Sequence, residues 1–215
     1  MLSELEKLIA GYARFRENFK SGSNLLYKHL SEQGQNPSAI VIACSDSRVD
    51  PAIILDCDPG DLFMIRNVAN LVPPYEDDHH YHGTSAALEF GVCHLKIPHI
   101  IVLGHSQCGG IKSLLETNQV DPEGFIAKWM QLAKRSTRVQ ISNDFHLPIA
   151  HQAELCEKES LAGSLDNLMT FPWIQKRVVE NNVALHGWYF NLSQGTLDYF
   201  DQKTRQFLPL IQKEN

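Results

Sequence analysis

Much is missing from this 215-residue chain. It has no apolar run approaching the roughly 20 residues of a bilayer-spanning helix. Its opening Met-Leu-Ser-Glu-Leu-Glu-Lys is charged from the start, unlike a secretory leader. It has no basic surplus: 19 Lys and Arg stand against 25 Asp and Glu, so the net charge of −6 offers nucleic acid no electrostatic footprint. Repeats, low-complexity tracts and linkers are absent too. The expectation is one domain over residues 1–215, with residues 1–35 as an N-terminal helical arm. Its five cysteines, Cys44, Cys57, Cys93, Cys108 and Cys156, are scattered and odd in number. That argues against a disulfide framework and for a reducing compartment, the cytoplasm, where cysteines serve as core residues, ligands or nucleophiles.

What is present alternates between two periodicities. Leu5, Leu8, Ile9, Tyr12, Phe15 and Phe19 recur at helical spacing behind a Ser3/Glu6 capping box, and this apolar face needs a core or a partner subunit to pack on. Residues 31–38 read as a loop. Ala39–Ala43 and His99–Leu103 are short, apolar and rich in β-branched residues, as expected of strands buried on both faces. Leu62–Ile65 and Val183–Phe190 are further strands, and Thr196–Phe200 returns antiparallel after the Ser193-Gln194-Gly195 turn. Residues 66–75 read as an irregular, proline-rich loop. Helices are expected over 85–96 with Thr84 as cap, over 111–116, after Asp121-Pro122, and from Phe125 to about Met169 with a break at 142–148. The fold class is α/β, a mainly parallel central sheet of four strands plus an antiparallel fifth, flanked by helices. Of the ten histidines, His79, His80 and His82 fall in one polar loop and read as solvated.

Two stretches carry the chemistry. Cys44-Ser45-Asp46-Ser47-Arg48 ends the first apolar run, and Gly104-His105-Ser106-Gln107-Cys108-Gly109-Gly110 ends the third. Both follow buried strands, so both fall at carboxyl ends of a parallel sheet, where such sheets bind ligands. Cys44, His105 and Cys108 then form a zinc set of two thiolates and one imidazole, with the fourth position left for water. Iron or cobalt remain alternatives on ligand type alone. Asp46 and Arg48 are two apart and face the same way in an extended chain. The pairing keeps the carboxylate ionised and off the metal, free to orient a water. Gly109 and Gly110 open a helix whose first amides could face an anion near the metal. A lone buried cysteine would otherwise be a small core residue, and Asp46–Arg48 a surface ion pair.

These two motifs, with Arg66-Asn67-Val68-Ala69-Asn70 between them, resemble those of the β-class carbonic anhydrases, and the likeness covers nearly the whole chain. The resemblance implies zinc on Cys44, His105 and Cys108, with Asp46 and Arg48 as catalytic dyad. It also implies a dimeric building block, often assembled further, whose N-terminal helices embrace the neighbouring subunit. One subclass binds bicarbonate at a second, non-catalytic site through a Trp three residues before the first cysteine ligand, an Arg and a late Tyr. Here Arg66 is present, but Val41 and Phe190 stand at the other two positions. The plant-like subclass has a Gln nine residues before that cysteine, where Gln35 stands. Phe63, Val68 and Phe90 match its substrate wall, with Phe90 in place of a Tyr.

The implied activity is zinc-dependent reversible hydration of carbon dioxide to bicarbonate and a proton by zinc-bound hydroxide. Phe63, Val68 and Phe90 would form the apolar wall, Gln35 would donate to a CO2 oxygen, and the Gly109 amide would face the developing anion. Two other readings share these residues: hydrolysis of carbon disulfide or carbonyl sulfide, and a zinc-thiolate sensor without turnover. A sensor whose zinc is closed by protein ligands has no use for Asp46 and Arg48.

Overall fold

The computed structural model describes residues 3–21, 25–78, 80–115, 124–143 (135–143 as backbone alone) and 147–211. Its centre is a six-stranded sheet of β1 (Ala39–Cys44), β2 (Leu62–Asn67), β3 (His99–His105), β4 (Ala184–Asn191), β5 (Thr196–Asp201) and β6 (Gln206–Pro209), in the order β2-β1-β3-β4-β5-β6. The first four strands are parallel, and β5 and β6 continue antiparallel. The mainly parallel α/β sheet is therefore as expected. β6 is an addition: it is short and ends in Pro209, which a sheet edge tolerates because no ladder donor is needed there.

The sequence of β1 sets the layering. All six of its residues are buried, because side chains alternate and both faces are covered. Ile40 and Ile42 join Ile100, Val102, Leu88 and Val92 and the inner stripe of helix α7 (Ile149–Leu168) in the main core. Val41 and Ala43 meet Ile101, Leu103 and Trp188 on the other face. α7 reaches the sheet because of a glycine: a Cβ on Gly187 would lie 2.7 Å from Leu161 and 2.8 Å from Leu165.

From β1 the chain turns through the short helix α3 (Pro51–Ile54) to β2 on one side, then crosses back to β3 on the other. The carboxyl ends of β1 and β3 thus flank a topological switch point, where open parallel sheets leave a crevice.

Local expectations were corrected in four places, the last of them at the amino end. The helix expected over 85–96 is α4 (Gly83–Glu89) followed by one wide turn, Phe90–His94, in which the Leu95 N–H bonds Phe90 O at 3.0 Å. His82, not Thr84, stands at its start; the Thr84 hydroxyl instead accepts from Asn67 Nδ2 at 3.3 Å. Arg66 and Asn67 belong to β2, and Val68–Asn70 forms a tight helical turn, so only the later part of 66–75 is irregular. The helix expected over 111–116 begins at Gly109 as α5 (Gly109–Leu115). α6 (Phe125–Asn143) and α7 take up the long helical stretch, broken as expected. The helix start at Asp121-Pro122 lies outside the described residues, as does His79.

At the amino end the Ser3/Glu6 capping box closes α1 (Glu4–Lys20), and α2 (Leu25–Gln33) follows, taking residues 31–33 from the expected loop. α1 buries none of its residues; Leu5, Leu8 and Tyr12 are 66%, 72% and 64% exposed.

Candidate metal centre and active site

The two motif turns meet. Cys44 Sγ at the end of β1 lies 4.0 Å from Cys108 Sγ beyond β3, and the donor atoms of Cys44, His105 and Cys108 all lie within 4.8 Å of one another. All three residues are buried. His105 Nδ1 lies 2.8 Å from Ser106 O. A carbonyl can only accept, so Nδ1 carries the proton and Nε2 keeps its lone pair. That buried Nε2 has no hydrogen-bond partner. A buried acceptor is rarely orphaned, and this one points among two sulfurs. Two soft thiolates and one fixed imidazole suit tetrahedral zinc with one open position.

The sulfurs are prepared as ligands. Cys44 Sγ accepts from the backbone N–H of Asp46 at 3.4 Å and of Ala69 at 3.3 Å. The second donor depends on a strained turn: Ala69 and Asn70 have φ of 63° and 48°, a left-handed conformation costly to side chains with a Cβ. Asn67 closes this turn, donating to Leu71 O at 2.8 Å and accepting from Leu71 N at 2.9 Å. The contact with Cys108 pushes the Cys44 thiol down, and the same contact, with burial, pushes Cys108 up. The two sulfurs, 4.0 Å apart, compete for one charge, and a bound cation would stabilise both as thiolates.

Beside the sulfurs, Arg48 forks onto Asp46: Nε donates to Oδ1 at 3.0 Å, Nη2 to Oδ2 at 2.7 Å, and the Arg48 backbone N–H also donates to Oδ1 at 3.0 Å. Nη2 reaches Gln107 O at 3.0 Å as well, tying one motif turn to the other. The guanidinium holds the Asp46 carboxyl well below the usual carboxylate range. Arg66 braces the same turn from beneath, donating to the carbonyls of Cys44 at 2.7 Å and of Asp46 and Val49 at 3.0 Å each.

Other residues singled out from the sequence divide into two groups. Val68 and Gly109 adjoin the metal group: Val68 precedes Ala69, and Gly109 follows Cys108 at the start of α5. Gln35, Phe63 and Phe90 do not. Phe63 pairs with Ile40, four residues before Cys44 on β1, which is about 13 Å at strand rise. Phe63 and Phe90 stack at 6.1 Å, and Gln35 precedes β1 at this same amino end. Within one chain these three stand away from the sulfurs.

Glu157 and Tyr189 were not foreseen. Glu157 on α7 is 4% exposed; it accepts from the Cys108 N–H at 2.8 Å and from the Tyr189 hydroxyl at 2.7 Å. The available signal was a glutamate standing in the apolar stripe of α7 beside Cys156, Ser160, Leu161 and Ser164. A second cluster, Glu76, Asp78 and His82, is largely exposed, and its His82–Asp78 contact of 2.6 Å is accounted for as an ion pair.

A family model described as "Carbonic anhydrase" matches residues 39–197. The "Beta carbonic anhydrase 5, chloroplastic" of Arabidopsis thaliana is 44% identical over 176 residues; the match covers 80% of this chain and 56% of that protein's length. Among solved structures, the β-carbonic anhydrase CcaA superposes with a TM-score of 0.89 at 36% identity, covering 96% of this chain and all of that one. Tetrameric β-carbonic anhydrases of Sordaria macrospora give 0.78 at 26% identity, covering 92% of this chain and 97% of theirs.

Proposed function

The chain belongs to the β-class carbonic anhydrases, and from that membership we propose that it hydrates carbon dioxide reversibly to bicarbonate and a proton, with zinc held by Cys44, His105 and Cys108. The observation that carries the ligand assignment is the partnerless His105 Nε2 buried between two sulfurs. When bound, zinc supplies a Lewis acid that lowers the pKa of a water from 15.7 to about 7, so that hydroxide is available near neutral pH.

The chain's own residues do the rest. Asp46, kept ionised by the Arg48 fork, accepts a hydrogen bond from the attacking water and orients its lone pair toward the carbon. Arg48, anchored on Gln107 O, keeps that carboxylate off the position that a metal held by these three ligands would leave open. Val68 gives an apolar surface beside the site, and the Gly109 N–H faces the anion as it forms.

Gln35, Phe63 and Phe90 complete the pocket from a second copy of the chain. Their separation from the chain's own sulfurs supports this, as does the uncovered apolar stripe of α1. A homodimer is therefore the smallest active unit in our reading, with residues 1–35 as its clasp. Carbon dioxide and bicarbonate are its small-molecule partners. The compartment is reducing, and we assign the cytoplasm; no described helix is long and apolar enough to cross a membrane.

We further assign the chain to the plant-like subclass, without a second bicarbonate site. Val41 is fully buried in the sheet, Phe190 lacks a hydroxyl, and the Arg66 guanidinium is engaged by three carbonyls. Stopped-flow CO2 hydration tests the function: turnover should be lost with chelator and restored by zinc. A protein with full zinc and no turnover would refute it.

A further inference from the structure

We propose that Glu157 is a positioning residue for the metal centre, holding the Cys108 turn so that its sulfur faces the zinc. A carboxylate is costly to bury unless its oxygens are bonded. Glu157 meets that condition by accepting at both oxygens, from the amide of a zinc ligand and from a tyrosine hydroxyl. The three partners come from different elements: Glu157 from α7, Cys108 from the turn after β3, and Tyr189 from β4. Tyr189 is itself 1% exposed, so the hydroxyl that orients the carboxylate is locked in the core. Lys158 does not neutralise the pair directly; its Nζ bonds Glu154 at 2.6 Å and lies 4.9 Å from the Tyr189 ring centre.

The consequence is directional. A hydrogen bond to the Cys108 amide restrains the rotation of that residue's backbone and with it the heading of Sγ. The preceding residue, Gln107, has a φ of 59°, so the turn sits in a conformation that needs outside support. Groups that orient metal ligands in this way are typically worth about 10- to 100-fold in metal affinity. The role of Glu157 presupposes zinc on Cys108.

The experiment measures zinc affinity by chelator competition, together with thermal unfolding of the zinc-free proteins. Glu157→Ala should bind zinc about 10- to 100-fold more weakly at matched apo stability. Glu157→Gln keeps an acceptor for the Cys108 amide and should restore affinity close to wild type, an effect that mere filling of space would not predict. Tyr189→Phe frees the carboxylate and should weaken zinc in the wild-type background but not further in Glu157→Ala. Unchanged affinity in a folded Glu157→Ala, or Glu157→Gln as weak as Ala, would overturn the proposal. If Glu157→Ala does not fold, Tyr189→Phe decides: weaker zinc supports the role and unchanged zinc refutes it. Cys108→Ser, run alongside, separates the two levels. If it binds zinc as tightly as wild type, the ligand assignment fails; if its zinc is weakened while Glu157→Ala binds like wild type, only the role of Glu157 fails.

Discussion

Leu8→Ala tests whether the active unit is a dimer clasped by α1. The side chain is 72% exposed and lies on a stripe with Leu5, Ile9 and Tyr12. Alanine keeps the helix, being at least as good a helix former as leucine, so the change falls on the contact. Three carbons are removed. At about 0.8 kcal/mol per buried methylene, scaled by the surface still to be covered, each copy loses about 1.7 kcal/mol. A two-fold interface presents the residue twice, for a total of about 3.5 kcal/mol, or about 300-fold in the dimer dissociation constant. Sedimentation velocity and CO2 hydration would be followed together over a dilution series. Specific activity of the variant should fall where the dimer dissociates and recover on concentration, because Gln35, Phe63 and Phe90 then return to a neighbour's zinc. A fully active monomer, or a dimer as tight as wild type, would refute the reasoning.

Three further outcomes are expected. Arg48→Ala should keep zinc but lose nearly all turnover, since nothing then holds Asp46 off the metal's open position; metal analysis beside stopped-flow rates checks both, and wild-type turnover would refute the gatekeeping role. Asp46 has a depressed folded-state pKa because of Arg48, so its stabilisation is complete above the unfolded value of about 3.9 and is lost as pH falls toward the folded one. In urea unfolding of the zinc-free proteins, the gap between wild type and Asp46→Asn should close below about pH 4; a gap that widens in acid would contradict the pairing. Hydration rate should decline smoothly below neutral pH, and bicarbonate should inhibit only as a competing product. A steep loss that bicarbonate deepens non-competitively would place the chain in the other subclass.

The metal group was legible because its residues sit in two short motifs, each ending an apolar run, and parallel strands carry both runs to the same edge. Asp46–Arg48 was legible for a related reason: a two-residue spacing fixes a local geometry that tertiary packing need not supply. Glu157 was not, because its meaning comes from Cys108, 49 residues away, and Tyr189, 32 residues away, and no local pattern encodes those contacts. Arg66 was visible as a motif residue, but its task of holding three carbonyls emerged only once β2 was registered beside β1. The turn at Ala69–Asn70 defeated the reading of 66–75 as loop, since strain at those two residues is offset by Asn67 and by packing rather than announced by glycine. The division of the proposed substrate wall between the two ends of the sheet likewise depends on strand register, which places Phe63 opposite Ile40.

Zinc K-edge X-ray absorption on the purified enzyme and on Cys108→Ser tests the central claim most directly, because it counts sulfur neighbours independently of rate. Wild type should show two sulfurs and one imidazole nitrogen with one further light ligand, and Cys108→Ser should show one sulfur or no bound zinc. A wild-type site with no sulfur or four, or an unchanged spectrum in the variant, would contradict the assignment of Cys44, His105 and Cys108.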